Sequence, residues 1–420
     1  MELKRNLIDM AIRAKEASRC MGSLKTSVKN KALHEMAAEL LRSRKDIIKA
    51  NATDLKKAKM RKLKSSLIDR LALNDKRIKN MAGSIEIIAG LEDPVGSMER
   101  LTKRPNGLLI GKMRVPIGVI GIIYESRPNV TTDCVALCLK SGNCIILRGG
   151  TEAINSNIAI FDILNRVSLS NGVPQGTLNY IRNTDRKAVD ILLGLQGLVD
   201  LIIPRGGESL IKEVTKKSKI AVIKHYKGVC HTYIDEESNL NMAESIAYNA
   251  KVQRPGVCNA METLLVHRDI AMRFLPPLAK RLTEAGVELR GCPLTRKILV
   301  RRNVKKALES DWRAEYLDLI LSIKVVGGLS EAIQHINKYG TSHSDAIVTE
   351  NYVNAMKFLQ EVDSSSVYVN ASTRFTDGYE FGKGAEMGIS TDKLHARGPM
   401  GLEELTTYKY VIFGDGQIRV

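Results

Sequence analysis

The ten residues Gln253-Arg254-Pro255-Gly256-Val257-Cys258-Asn259-Ala260-Met261-Glu262 hold the chain's leading candidate for covalent chemistry. The Pro-Gly pair marks a tight turn, and the apolar run Thr263-Leu264-Leu265-Val266-His267 behind it reads as a strand. A cysteine so placed is presented on a loop held by a rigid scaffold, where catalytic groups tend to sit. Its thiolate would attack an activated carbonyl, and Arg254, four residues upstream, would favour the charged form. The plain alternative is a buried core thiol, because free cysteine is among the most buried residue types.

Two other stretches have the composition of anion cradles. Arg148-Gly149-Gly150-Thr151-Glu152 and Pro204-Arg205-Gly206-Gly207-Glu208-Ser209 each close a predicted strand. Glycines there let main-chain N–H groups and a helix N-terminus approach a phosphate. Neither stretch is G-x-G-x-x-G, so each alone fits an ordinary turn. Two on one sheet, each with an arginine, point to a nucleotide crevice. The seven cysteines, at 20, 134, 138, 144, 230, 258 and 292, are irregularly spaced, and no His/Cys cluster has zinc spacing. No metal centre is expected, and a reducing cytoplasm fits. Cys134 and Cys138, one helical turn apart, read as a packed helix face.

These groups need positioning elements. From Met1 to about Gly90 the chain reads as helices, with apolar residues at helical spacing in Lys31–Leu41. Ser65 or Ser66, and Asn74-Asp75, are helix starts. Gly107 to Tyr124 reads as two strands, an alternating arm and then a continuous apolar run suited to a buried parallel strand. A helix is expected over Asp133–Lys140, then strands at Cys144–Leu147, Leu178–Ile181 and Val199–Ile203 with helices between. This alternation predicts an α/β fold with a doubly wound parallel sheet, its ligands at the carboxyl ends of the strands. A second α/β unit follows, with strands at His231–Ile234, Ile323–Val326, Ala346–Val348 and Ser366–Val369. The polar, Gly-rich tail from Asn370 carries Phe, Met and Tyr, so it reads as a functional loop. Tyr408–Phe413 is a strong strand, expected to pair with the arm at 107–114 across a subunit contact.

At 420 residues the chain has room for two or three domains. Its formal charge of +18 raises nucleic acid as a partner. The basic residues, however, are spread over helical faces in Lys45–Lys64 and Arg301–Lys306, and six phenylalanines and one tryptophan make no stacking motif. A solvated basic surface is expected, one that also attracts anionic ligands, and no nucleic-acid partner. No apolar run has the length of a membrane span. The amphipathic start, with Asp9 and Glu16, is unlike a secretory or transit signal, so no membrane partner and a cytoplasmic location are expected.

Four blocks together resemble the gamma-glutamyl phosphate reductases (glutamate-5-semialdehyde dehydrogenases) of the aldehyde dehydrogenase superfamily. They are Val115 to Thr131 (VPIGVIGIIYESRPNVT), Pro204-Arg205-Gly206-Gly207, Gln253 to Thr263 (QRPGVCNAMET), and Asn370 to Gly378 (NASTRFTDG) through His395 to Gly401 (HARGPMG). The resemblance spans essentially the whole chain. It implies an aldehyde-dehydrogenase-like fold: a Rossmann-like cofactor domain (1–103 and 125–228), a catalytic α/β domain (229–365), and an oligomerisation flap with a C-terminal substrate loop (104–124 and 370–420). It implies reduction of L-glutamyl 5-phosphate by NADPH to L-glutamate 5-semialdehyde, in proline synthesis from glutamate. A homo-oligomer is implied, with glutamate 5-kinase, which makes the acyl phosphate, as a partner. Oxidation of a small aldehyde by another member of the superfamily is the alternative.

By the same resemblance Cys258 is the nucleophile, and Asn129 supplies a donor to the negative oxygen that develops on the substrate. A helix N-cap is the other reading of Asn129. Arg148, Gly149, Arg205, Gly206 and Gly207 would line the cofactor, Arg148 and Arg205 favouring the additional phosphate of NADP, and Glu315 would meet a ribose. Arg254, Arg374 and Arg397 are candidates to grip the substrate's phosphate or α-carboxylate, and Glu125 or Asp377 to meet its ammonium. His225 stands where hydrolytic members carry a general-base glutamate, so no carboxylate there activates water, although a structural role suits His225 equally.

Overall fold

The computed structural model describes residues 1–63, 65–224 and 227–419. His225 lies outside them. The strands, in chain order, are β1 (Met98–Lys103), β2 (Leu109–Pro116), β3 (Val119–Tyr124), β4 (Cys144–Gly149), β5 (Leu178–Tyr180), β6 (Leu201–Arg205), β7 (Cys230–Ile234), β8 (Met261–His267), β9 (Glu288–Gly291), β10 (Val304–Lys306), β11 (Ile320–Val326), β12 (Ser344–Val348), β13 (Ser366–Val369), β14 (Ile389–Ser390), β15 (Gly398–Pro399) and β16 (Thr406–Phe413). The chain divides into two units. One holds Met1–Lys224, Gly382–Gly388 and Met400–Val420, and the other holds His225–Phe381 and Ile389–Pro399.

The first unit is built on a four-stranded parallel sheet of order β5-β4-β3-β6. Every residue of β3 and β4 is buried, as expected of strands covered on both faces. Helix Glu2–Met21 packs on β4, and helix Asn129–Lys140 packs on β3 and β4. Helices Thr26–Arg42, Arg44–Met60 and Asp75–Gly90 extend that packing around Asn129–Lys140 and Ile154–Ser170. Because β4 and β5 continue to one side of β3 and β6 to the other, the strand order reverses at β3. Its carboxyl end is therefore where a crevice opens.

The unit's other sheet is antiparallel, β1-β2-β16. The expected arm and final strand do pair, from Thr406↔Pro116 to Phe413↔Leu109, but within one chain and not across a subunit contact. Asn143 Nδ2 donates to the Leu405 carbonyl at 2.8 Å, and Arg114 Nη1 to Thr406 Oγ1 at 3.1 Å, so the chain's own loops deliver β16 to its partner. Val119–Tyr124, grouped above with the flap residues 104–124, is the fully buried centre of the parallel sheet.

The second unit carries a seven-stranded, all-parallel sheet of order β10-β9-β11-β8-β7-β12-β13. Strand β8, directly behind the cysteine loop, is buried along its full length. Its Leu264 and Val266 pack with Phe274, Leu275 and Leu278 of helix Arg268–Glu284, while Leu265 packs in a second cluster with Tyr233, Ile333 and Phe358.

Candidate active site

The cysteine loop runs from the end of helix Leu240–Val252 to the start of β8, and it places Cys258 half-buried. Its main chain is held from below. The Cys258 carbonyl accepts from Cys230 Sγ at 3.2 Å. A β-carbon at Gly228 would lie 1.8 Å from that carbonyl oxygen, so the close approach admits glycine only. Gly228 is fixed in turn by donating its N–H to Glu315 Oε1 at 2.8 Å. Cys230 itself is fully buried, and that burial pushes its thiol well above the ordinary range. Burial likewise raises Cys134, Cys138 and Cys144, the last to about 12. Such thiols are inert packing groups, whereas Cys258 is within reach of solvent.

The loop is strapped to the segment after β13. Asn259 Nδ2 donates to the carbonyls of Arg374 (3.3 Å) and Thr376 (2.9 Å), and Thr373 Oγ1 donates to the Asn259 carbonyl at 2.7 Å. This brings the expected substrate arginine Arg374 to the cysteine loop, where its Nε donates to Gln253 Oε1 at 3.0 Å. Burial, and then the like charge of Arg254, push the Arg374 guanidinium below its ordinary value, while Cys258 and Asp377 act in the opposite direction. Arg254, Arg374 and Cys258 thus share one electrostatic neighbourhood. Guanidinium groups are the side chains best suited to grip a carboxylate or phosphate. Asp377 accepts the Tyr379 N–H at 2.9 Å.

Two expected residues have other engagements. Arg397 places Nη1 on Asp363 Oδ1 and Nη2 on the Asp363 carbonyl, both at 2.8 Å, so its fork is already spent on the chain. Glu315 spends one carboxylate oxygen on Gly228, the residue that abuts the Cys258 carbonyl. Glu236, His267 and Asp269 bring ligand-type atoms within 4.8 Å of one another, but His267 Nδ1 there caps helix Arg268–Glu284 by accepting the Asp269 N–H at 3.2 Å.

In the first unit, a cavity of about 360 Å³ opens at the carboxyl ends of the parallel strands. Arg148, Glu125, Gly150 and Glu152 line it, together with residues of helices Lys187–Leu193 and Glu208–Lys217. Arg148 is buried, giving Nη1 to the Gly149 carbonyl (2.9 Å) and Nη2 to the Thr184 carbonyl (3.0 Å), while its buried Nε has no partner. Burial pushes this guanidinium below its ordinary value. Gly149 makes room for packing: a β-carbon there would meet Asn157 Nδ2 at 2.2 Å and Tyr180 Oη at 2.8 Å.

At Gly206-Gly207 the anion is the chain's own. Glu125 Oε2 accepts the Gly207 N–H at 2.9 Å, at the positive end of helix Glu208–Lys217, and it leaves no space for a β-carbon on Gly206. Arg205 adds positive charge to the same end of the sheet, where it acts on Asp133 and Cys134. Asn129 is the first residue of its helix, with Pro128 at the N-cap. It is exposed, and its Nδ2 donates to Asp133 Oδ2 at 3.2 Å, so the alternative reading of Asn129 as the N-cap does not hold.

Sequence reasoning did not single out Gly228, Asn259 or Cys230 for these roles. Only Asn259 left a trace, as a polar residue beside the cysteine. The others act across 28 to 87 positions of sequence.

The residues 3–293 match the model of the aldehyde dehydrogenase family. The gamma-glutamyl phosphate reductase of Caldanaerobacter subterraneus is 61% identical over 97% of this chain and 98% of its own length. That of Thermodesulfovibrio yellowstonii is 55% identical over the full length of both. The crystal structure of gamma-glutamyl phosphate reductase from Thermotoga maritima, 50% identical, superimposes with a TM-score of 0.96 over 99% of this chain and 100% of that one. An acetylating aldehyde dehydrogenase from Geobacillus thermoglucosidasius, at 16% identity and a TM-score of 0.70, shares the fold over 100% of this chain and 98% of that one. With the cysteine loop and the crevice in place, these likenesses put the chain in the aldehyde dehydrogenase family, among its gamma-glutamyl phosphate reductases.

Proposed function

We propose that this chain reduces L-glutamyl 5-phosphate to L-glutamate 5-semialdehyde and phosphate, with NADPH, as the second step of proline synthesis from glutamate. The observation that carries the reading is the half-exposed Cys258, held through its main chain and sharing its surroundings with Arg254 and Arg374. Its thiolate attacks the acyl phosphate carbonyl, the carbon–oxygen bond to phosphate breaks, and a thioester forms on the sulfur. Arg254 and Arg374 bind the departing phosphate or the α-carboxylate. The Cys258 main-chain N–H is the proposed donor to the carbonyl oxygen. The cavity of the first unit suits a nicotinamide dinucleotide, since Arg148 has an unpartnered buried N–H and Arg186 lines the same space. A reduced nicotinamide held by these residues would supply hydride, and the Cys258 thiolate is the leaving group when the aldehyde forms. The same cations favour the additional phosphate of NADPH. A thioester intermediate must be kept from water, and position 225 carries histidine in place of a carboxylate base.

The reading includes a cytoplasmic homo-oligomer supplied by glutamate 5-kinase. The test is the reverse reaction. Glutamate semialdehyde should reduce NADP only when inorganic phosphate is present, and Cys258→Ala should abolish it. Full activity in that variant, or reduction that needs no phosphate, overturns the proposal.

A further inference from the structure

Beneath the cysteine loop its two ends are joined by a buried ion pair. Lys251 lies in the last turn of helix Leu240–Val252 and Glu262 is the second residue of β8. Both side chains are 0% exposed, and Lys251 Nζ lies 2.6 Å from Glu262 Oε2. The remaining carboxylate oxygen accepts the N–H of Leu317 at 3.1 Å. Leu317 has φ +53°, a left-handed conformation that a leucine keeps only where its surroundings impose it. From this turn two contacts reach back to the loop. The Leu317 carbonyl lies 3.7 Å from where a side chain on Gly256 would begin, and Glu315 holds Gly228, which abuts the Cys258 carbonyl.

Burial pushes the Glu262 carboxyl up to about 7, against the pull of Lys251, and it pushes the Lys251 ammonium down. Two charges taken out of water seldom stabilise a fold more than well-packed apolar groups would. What such a pair supplies is a fixed distance and direction. Neither group has a part in the chemistry proposed above.

We propose that Lys251 and Glu262 are positioning residues for Cys258, clamping both ends of its loop and anchoring the 315–317 turn that fixes the thiol from below. The inference rests on the reading of Cys258 as the nucleophile. The test separates placement from stability. In the Lys251→Met/Glu262→Leu double variant both charges go, so thermal stability should stay near that of the unaltered protein. The rate at which iodoacetamide alkylates Cys258, followed on its peptide by mass spectrometry, should fall about tenfold or more, and kcat with it, while KM for the semialdehyde stays within about twofold. An alkylation rate that is unchanged or faster overturns the proposal. Should the double variant fail to fold, Glu262→Gln is the second arm: it keeps the shape and an acceptor for Leu317, and a rate unchanged or faster there overturns the proposal equally. Full activity in Cys258→Ala would instead remove the nucleophile assignment, and the alkylation comparison would still stand by itself.

Discussion

Cys258 and Cys230 show how environment, and not residue type, sorts thiols. The Cys230 sulfur is sealed in and donates to the Cys258 carbonyl, while Cys258 stands half-exposed beside two arginines. Of these, Arg374 is the better anchored, through Gln253 and the Asn259 strap, and its partial burial strengthens any bond to an anion. Arg374→Ala should therefore raise KM for phosphate in the reverse reaction about tenfold to a hundredfold, the loss of a charge-assisted hydrogen bond of about 1.5–3 kcal/mol. A KM unchanged in initial-rate measurements would assign the anion elsewhere. At this scale the sequence spoke through local chemistry. A cysteine after Pro-Gly was legible, and so was Arg254 close to it in the chain. It was silent on which arginines were free. Asp363 claims Arg397 across 34 positions, and Glu125 reaches Gly207 across 82, distances over which no periodicity or spacing carries information.

At the scale of elements, the βα alternation was readable because buried parallel strands are mostly apolar runs. Strand β3 follows that rule residue by residue, while β4, β7 and β8, buried along their full length, also enclose Arg148, His231 and Glu262. Strand β1 was not read, since all six of its residues are exposed and give no apolar pattern. Helix Arg268–Glu284 holds Pro276 and Pro277 inside it, against local propensity, because its Ile270, Ala271, Phe274, Leu275, Leu278, Ala279 and Leu282 are buried in the core. The loop-to-loop contact at Gly228 is the tightest fit near the thiol. Gly228→Ala sets a methyl group against the Cys258 carbonyl, so either the loop shifts or the strand start does. Overpacking of this kind costs about 1–3 kcal/mol. Chemical denaturation should show that loss, and Cys258 alkylation should slow in the folded variant. Unaltered stability together with an unaltered rate would contradict the packing described.

For the molecule as a whole, two α/β units were legible from alternation. The assignment of the tail was not, because it returns to both units: Gly382–Gly388 and Met400–Val420 to the first, Ile389–Pro399 to the second. The β1-β2-β16 sheet leaves Tyr408, Tyr410, Ile412 and Phe413 at least half exposed, an apolar strip of the kind that marks a protein contact. Tyr408, Tyr410 and Ile412 alternate onto one face of β16. If this strip joins subunits, Tyr410→Glu with Ile412→Glu should lower the mass measured by light scattering. A mass equal to that of the unaltered protein would place the contact on another surface.

The same sheet sets an order on biosynthesis. Arg114 of β2 meets Thr406 of β16 across 292 positions, so β2 leaves the ribosome long before the strand that completes it. Until then β2 has β1 on one side and an open row of main-chain groups on the other. An open edge of this kind invites pairing with a neighbouring nascent chain. The first unit can assemble its parallel sheet early, yet its β1-β2-β16 sheet must wait for β16, which is made after the second unit. Slow elongation over the second unit would lengthen that wait, and a trigger of misassembly would lie in the timing of synthesis and not in the stability of the finished fold.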